Sequence, residues 1–252
     1  MRHIILIVVY LCYMEILFIG TGGAFDYEIG NSAALLAFAG QQILIDCGHT
    51  VYPRMRQLAI AEKFDYILLT HLHDDHCGSL STLIFHQKHI ARKPEKTRLL
   101  VPSRDFQAEV VAMLNHSQQD CTQNVEFILL EDFAAALPAG YACGYIDTFG
   151  LHSENMRTHA YWFRDNAELL VYSGDLGVFT PIADFIKVTD ATAVRVFCDI
   201  SFNNIQKAHI YYQDIQAMSL PYPIWGYHND YRHAPADCTI ALAGNDPTLL
   251  WH

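Results

Sequence analysis

The stretch Thr70-His71-Leu72-His73-Asp74-Asp75-His76-Cys77-Gly78 packs three imidazoles and two carboxylates into six consecutive residues. Immediately before it, residues 66–70 form a short apolar run that predicts a buried strand ending at His71. Neutral imidazole and carboxylate are the donors zinc prefers. On a tight turn His71 and His73 can point to one ion while Asp75 and His76 point to a second. A solvated loop that happens to be rich in histidine has no need of this order or of the strand ahead of it.

The chain on either side supplies an α/β framework. Residues 16–19, 33–38 and 42–45 read as short apolar strands separated by glycine and asparagine turns, the last entering Asp46-Cys47-Gly48-His49. Met55, Leu58, Ala59 and Glu62 stand at helical spacing within 53–62. Further helices are expected over 80–91 and 105–114. Strands are expected at 98–101, 125–130, 141–149, 158–164, 168–173, 193–199 and 223–227. No internal repeat, low-complexity tract or linker interrupts the pattern, so residues 14–252 read as one α/β domain.

Residues 1–13 read differently. An apolar run over 4–13 behind Arg2 and His3 imitates a secretory signal, but no small-x-small cleavage site follows and the run is too short to span a bilayer. The strand-to-glycine-turn text restarts at Met14, which marks 1–13 as an extension or a misplaced start; an added surface strand and an export signal are the alternatives. No membrane association is expected, and the location expected is the cytoplasm.

Composition narrows the partners. The 252 residues are 52% apolar and 17% charged, enough to bury a large core. Acidic residues number 27 against 16 basic ones, a net charge of −11, which disfavours a stable large nucleic-acid partner. Seven scattered cysteines with no Cys-x-x-Cys pair argue against a disulfide framework or a zinc knuckle and fit a reducing compartment.

The ordered set His71, His73, Asp75 and His76 resembles the loop motif of the metallo-β-lactamase superfamily. That resemblance extends over nearly the whole chain from Met14 and implies an αββα sandwich with metals at one edge of two facing sheets. It also implies three ligands downstream, for which His152, Asp175 and His228, each after a predicted strand, are the candidates. By resemblance His71, His73 and His152 bind one zinc, Asp75, His76 and His228 the other, and Asp175 bridges. Manganese could occupy the same donors. Asp46 resembles the family's aspartate that supports the histidine turn.

Asp175 stands where some zinc β-lactamases carry a cysteine, and two oxygen-bridged ions favour phosphoesters over lactams. Phe197-Cys198-Asp199, followed by Ala208-His209-Ile210-Tyr211-Tyr212, resembles the phosphodiesterase branch related to tRNase Z, in which a histidine assists departure of the leaving oxygen. This makes His209 and Asp199 catalytic candidates beside Asp75. Asp175 follows His152 by only 23 positions, which leaves no room for the arm with which tRNase Z clasps tRNA. The expected activity is a dinuclear zinc phosphodiesterase acting on a small nucleotide, opening a 3′,5′-cyclic nucleotide to a 5′-nucleotide. It is similar to compact enzymes of the anti-Pycsar type, which degrade cyclic-nucleotide signals in antiviral defence. An RNA 3′-processing nuclease, a lactonase and a non-catalytic metal-binding dimerisation module are the alternatives. The resemblance implies a homodimer.

Overall fold

The computed structural model describes residues 14–251 except 118–119, 167 and 205–206; the extension expected over 1–13 lies outside the described residues. The chain first lays down β1 (Glu15–Gly20), β2 (Ala33–Phe38) and β3 (Gln41–Ile45) as an antiparallel meander. After helix α1 (Val51–Gln57) it adds β4 (Tyr66–Leu68), β5 (Thr97–Val101) and β6 (Val125–Leu129), all parallel to β3. Between β4 and β6 come α2 (Asp74–Cys77), α3 (Leu80–Phe85), α4 (Arg104–His116) and α5 (Cys121–Asn124). Helix α6 (Leu130–Ala135) leads to the second sheet, which repeats the plan. There β7 (Tyr141–Asp147), β8 (His159–Asp165) and β9 (Glu168–Tyr172) form the meander. The parallel run continues through α7 (Thr180–Lys187), β10 (Ala193–Asp199), α8 (Tyr212–Ala217), β11 (Ile224–Tyr227) and β12 (Ala241–Leu242). The two halves thus share a topology that no repeat in the sequence announces.

Strand periodicity decides which residues fill which layer. On β2, Leu35 faces α1, α3 and α4, packing with Met55, Leu83 and Phe106, while its neighbour Leu36 faces the other sheet. An aromatic seam runs through the inter-sheet layer: Phe18, Phe163, Tyr172, Phe197 and Tyr227 are all at most 1% exposed. On the far side, Val171, Val196 and Cys198 pack under Ile182 and Ile186 of α7 and Ile215 of α8. The result is the αββα sandwich expected.

Local departures have local causes. The helix expected over 53–62 ends at Gln57, because Ala59 turns into the left-handed region at φ +55° and Ile60 N–H returns to the Met55 carbonyl at 2.9 Å. The helix expected over 80–91 is α-helical only to Phe85 and widens into a π turn over His86–Ile90. The wider turn carries His86 and Gln87 inward, where Glu62 Oε1 meets His86 Nε2 at 3.2 Å and the Ala61 carbonyl accepts from Gln87.

Candidate metal centre

Most groups singled out in the sequence emerge near the C-terminal end of a parallel strand; His152 comes from the loop after β7 and His209 from the loop between β10 and α8. Asp46 follows β3, the His71 to His76 turn follows β4, Asp175 follows β9, Asp199 ends β10 and His228 follows β11. Strands that run parallel deliver their ends to one edge, the usual place for ligands in such sheets. Gly174, at φ +61°, turns the chain so that Asp175 points back beneath the His71 loop; a Cβ there would come within 2.8 Å of the His159 carbonyl oxygen.

The imidazoles are held in defined tautomers by buried partners. Asp46 is fully buried; its carboxylate accepts the Thr70 N–H at 2.8 Å, the Thr70 hydroxyl at 2.9 Å and His76 Nδ1 at 2.9 Å. With its hydroxyl proton given to Asp46, Thr70 Oγ1 is an acceptor for His71 Nδ1, 3.1 Å away. The Ala208 carbonyl accepts His152 Nδ1 at 2.8 Å. In each case the Nδ1 proton is spent outward, which leaves Nε2 with its lone pair facing the site. Asp46 therefore orients two histidines at once, one directly and one through Thr70. The relay through Thr70 was not read from the sequence, although Thr70 directly precedes the motif. Asp46 and His228 both sit at φ +63°, a conformation costly for residues other than glycine and typical of functional sites.

The donors fall into two groups, in each of which the ligating atoms lie within 4.8 Å of one another: His71, His73 and His152; and Asp75, His76, Asp175 and His228. Asp175 stands between them, with Oδ2 3.7 Å from His152 Nε2 and 3.4 Å from His228 Nε2, and Oδ1 3.3 Å from His76 Nε2. These donors fit a metal ion on two observations. His73 Nδ1 lies 3.0 Å from His71 Nε2 and 3.1 Å from His152 Nε2, so three ring nitrogens converge with too few protons to bond them all; donors on a tetrahedral zinc, with bonds of about 2.0–2.1 Å, stand about 3.3 Å apart. Asp175 Oδ1, moreover, is buried without a hydrogen bond. Burial holds His71 well below its usual pKa, which keeps it neutral and able to ligate. Burial opposes ionisation of Asp175, but with no metal on their Nε2 atoms His228 and His76 take up protons, and their charges hold the carboxylate well below its usual range.

Beside the second group, His209 Nδ1 bonds Asp199 Oδ2 at 2.7 Å. Burial disfavours the imidazolium, yet the Asp199 charge and hydrogen bond raise the pKa of His209 to about 9. A further donor combination unites Asp175, Asp199, His209 and His228, but the short bond commits His209 Nδ1 to Asp199. His209, His152, Asp175 and His228 line one cleft of about 850 Å³ together with His73 and Asp75, a volume within the range of small-molecule sites. Among the described residues, no helix is long and apolar enough to cross a membrane.

A two-sheet sandwich that gathers buried imidazoles and aspartates at its parallel strand ends is a metallo-β-lactamase-fold protein with donors placed to hold metal. YhfI of Bacillus subtilis, a metallo-β-lactamase fold protein, superposes with a TM-score of 0.65 at 17% identity, over 87% of this chain and 88% of its own. Human tRNase Z, short form, gives a TM-score of 0.62 at 17% identity, over 86% of this chain and 93% of its own. Within this class the chain belongs to the family described as Anti-Pycsar protein Apyc1, whose model matches residues 14–237. One relative, Anti-Pycsar protein Apyc1 of Bacillus phage 010DV004, is 39% identical over 92 residues, 36% of this chain and 35% of the relative. The matched stretch spans about a third of the length of the curated relatives.

Proposed function

We propose that the protein is a dinuclear zinc phosphodiesterase that opens a small 3′,5′-cyclic nucleotide to a 5′-nucleotide, and that it counteracts cyclic-nucleotide signalling in antiviral defence. The carrying observation is the pairing of two donor groups about Asp175 with a His209–Asp199 couple on the same cleft. Membership of the Anti-Pycsar family supports the substrate class. Zinc ions held by His71, His73, His152, Asp75, His76, His228 and Asp175 would supply an ionised water and neutralise charge on phosphoryl oxygens. An alkoxide leaving from ribose is a strong base and needs a proton in the transition state. With Nδ1 committed to Asp199, Nε2 of His209 is the atom left to deliver that proton to O3′. Asp199 fixes the ring and stabilises its charged form.

The hairpin of β8 and β9 fills the interval between His152 and Asp175, which favours a small substrate over tRNA. We further propose a cytoplasmic homodimer with no stable large nucleic-acid partner. The test is product chromatography after incubation with 3′,5′-cyclic mononucleotides, cyclic dinucleotides and pre-tRNA. Conversion of a cyclic nucleotide to its 5′-monophosphate supports the reading; preference for pre-tRNA promotes the RNA-processing alternative. His209→Ala should keep its metal and lose roughly 10²–10⁴-fold in turnover on the ribose ester. The loss should be much smaller on a p-nitrophenyl diester, whose leaving group needs no proton.

A further inference from the structure

The cleft has a second wall that the metal chemistry does not use. The loop joining β1 to β2 carries Phe25, 91% exposed, and Tyr27, 68% exposed, and both rings border the cleft that holds His73, Asp175 and His209. Neither ring belongs to a hydrophobic core cluster. The Tyr27 ring lies 5.2 Å from that of His49, which lines the same cleft and whose Nε2 is buried with no hydrogen-bond partner.

The loop is nonetheless well braced. Gly22 N–H donates to the Gly30 carbonyl at 2.8 Å, and Ile29 N–H to Asp26 Oδ1 at 2.9 Å. Arg54 donates from Nη1 to the Ile29 carbonyl at 2.6 Å. Arg232 pairs with Glu28 at 2.6 Å and with Asp230 at 2.7 Å, which ties the aromatic loop to the segment that begins at His228. Surface ion pairs alone contribute little, but the backbone bonds give the loop a fixed shape. Two exposed rings on a braced loop, facing a site that would hold a phosphodiester, form a stacking platform.

We propose that Phe25 and Tyr27 form a nucleobase subsite, in which the base of the substrate stacks while its phosphate lies at the donor groups. This deepens the phosphodiesterase reading and rests on it for the position of the phosphate. Stacking tolerates every base because every base has a π face, so the subsite distinguishes a nucleotide from a bare sugar phosphate more strongly than one base from another.

Calorimetric binding of adenosine 5′-monophosphate, cytidine 5′-monophosphate and ribose 5-phosphate to the metal-loaded full chain tests it without turnover. Both nucleotides should bind more tightly than ribose 5-phosphate. Phe25→Ala and Tyr27→Ala should each weaken nucleotide binding by about 5- to 150-fold and shift ribose 5-phosphate by less than about twofold. Phe25→Trp should restore the preference, and Phe25→Leu should not. Because Phe25 is almost fully exposed, its replacement leaves the core untouched. Equal affinity for nucleotides and ribose 5-phosphate overturns the subsite even in an active phosphodiesterase, as does rescue by leucine. A change of oligomeric state in Phe25→Ala also overturns it, by assigning the ring to a protein interface. Failure to hydrolyse cyclic nucleotides, with the binding preference intact, would strike only the proposed reaction.

Discussion

Gly48→Ala should damage the metal centre without touching a ligand. The segment after β3 runs alongside the His71 loop: Cys47 N–H donates to the His76 carbonyl at 2.7 Å and His49 N–H to the Asp74 carbonyl at 3.2 Å. Gly48 lies between these bonds, and a Cβ there would stand 1.8 Å from the Asp75 carbonyl oxygen, where real Cβ contacts essentially never fall below 3.0 Å. The two backbones would have to part by about 1.2 Å, against a tolerance of about 0.2 Å for metal-ligand distances. Overpacking of this kind costs about 1–3 kcal/mol, and disturbing the support of a ligand typically costs about 10–100-fold in metal affinity. Competition with a chromophoric chelator reads the affinity, and denaturant unfolding of the metal-free protein reads the stability. Gly40→Ala is the control: its Cβ meets nothing within 4 Å, but its φ of +77° is a left-handed conformation, so about 1–2 kcal/mol should be lost with metal affinity unchanged. Unchanged metal affinity in Gly48→Ala would refute the claim that this backbone contact positions Asp75.

Three other outcomes are expected. Asp46→Ala strands the Thr70 N–H and His76 in the core, and should lower metal affinity about 10–100-fold with a fall in melting temperature seen by calorimetry. Burial pushes the thiols of Cys47, Cys77 and Cys143 up to about 12 and Cys198 well above its usual value, so iodoacetamide at pH 8 should modify Cys121 and Cys238 in the folded protein and spare these four, as peptide mass mapping would show; labelling of Cys198 ahead of Cys238 would contradict the packing. In chelator-treated protein the His209 pKa is raised to about 9 against burial by Asp199. A raised folded pKa gives stability that is fully present below the unfolded value, about 6.5, and is lost as pH rises through the folded one. Melting temperature should therefore fall between pH 6.5 and 9 more steeply in the chelated parent than in chelated His209→Ala.

Legibility in the sequence tracked the range of the interactions. The His71 to His76 turn could be read directly because its donors are adjacent in the chain and follow a strand. The alternation that sends Leu35 to the helices and Leu36 to the other sheet is likewise local. His152, Asp175 and His228 came from resemblance, since a single histidine or aspartate after a strand is chemically ordinary. Helices α5 to α8 were missed because elements of 4 to 8 residues carry little helical periodicity. The π turn at His86 reflects partners on α1 and the segment after it, including Tyr52, which meets His86 Nδ1 at 3.3 Å. The brace from Arg232 to Glu28 joins residues 204 positions apart, beyond any local pattern.

The first half of the chain supplies His71, His73, Asp75 and His76, and the second supplies His152, Asp175, His209 and His228. Each donor group draws on both halves, so neither sheet can hold an ion in full without the other. The sheets meet through Phe18 of β1, whose ring lies 5.6 Å from those of Phe197 and Tyr227 and 6.2 Å from that of Tyr172. Tyr227 directly precedes His228, and Tyr172 stands three residues before Asp175. The aromatic seam that joins the sheets therefore also sets the distance between the two sets of ligands. A metal that bound only the docked arrangement would stabilise it by mass action, which would couple sheet docking to metal binding.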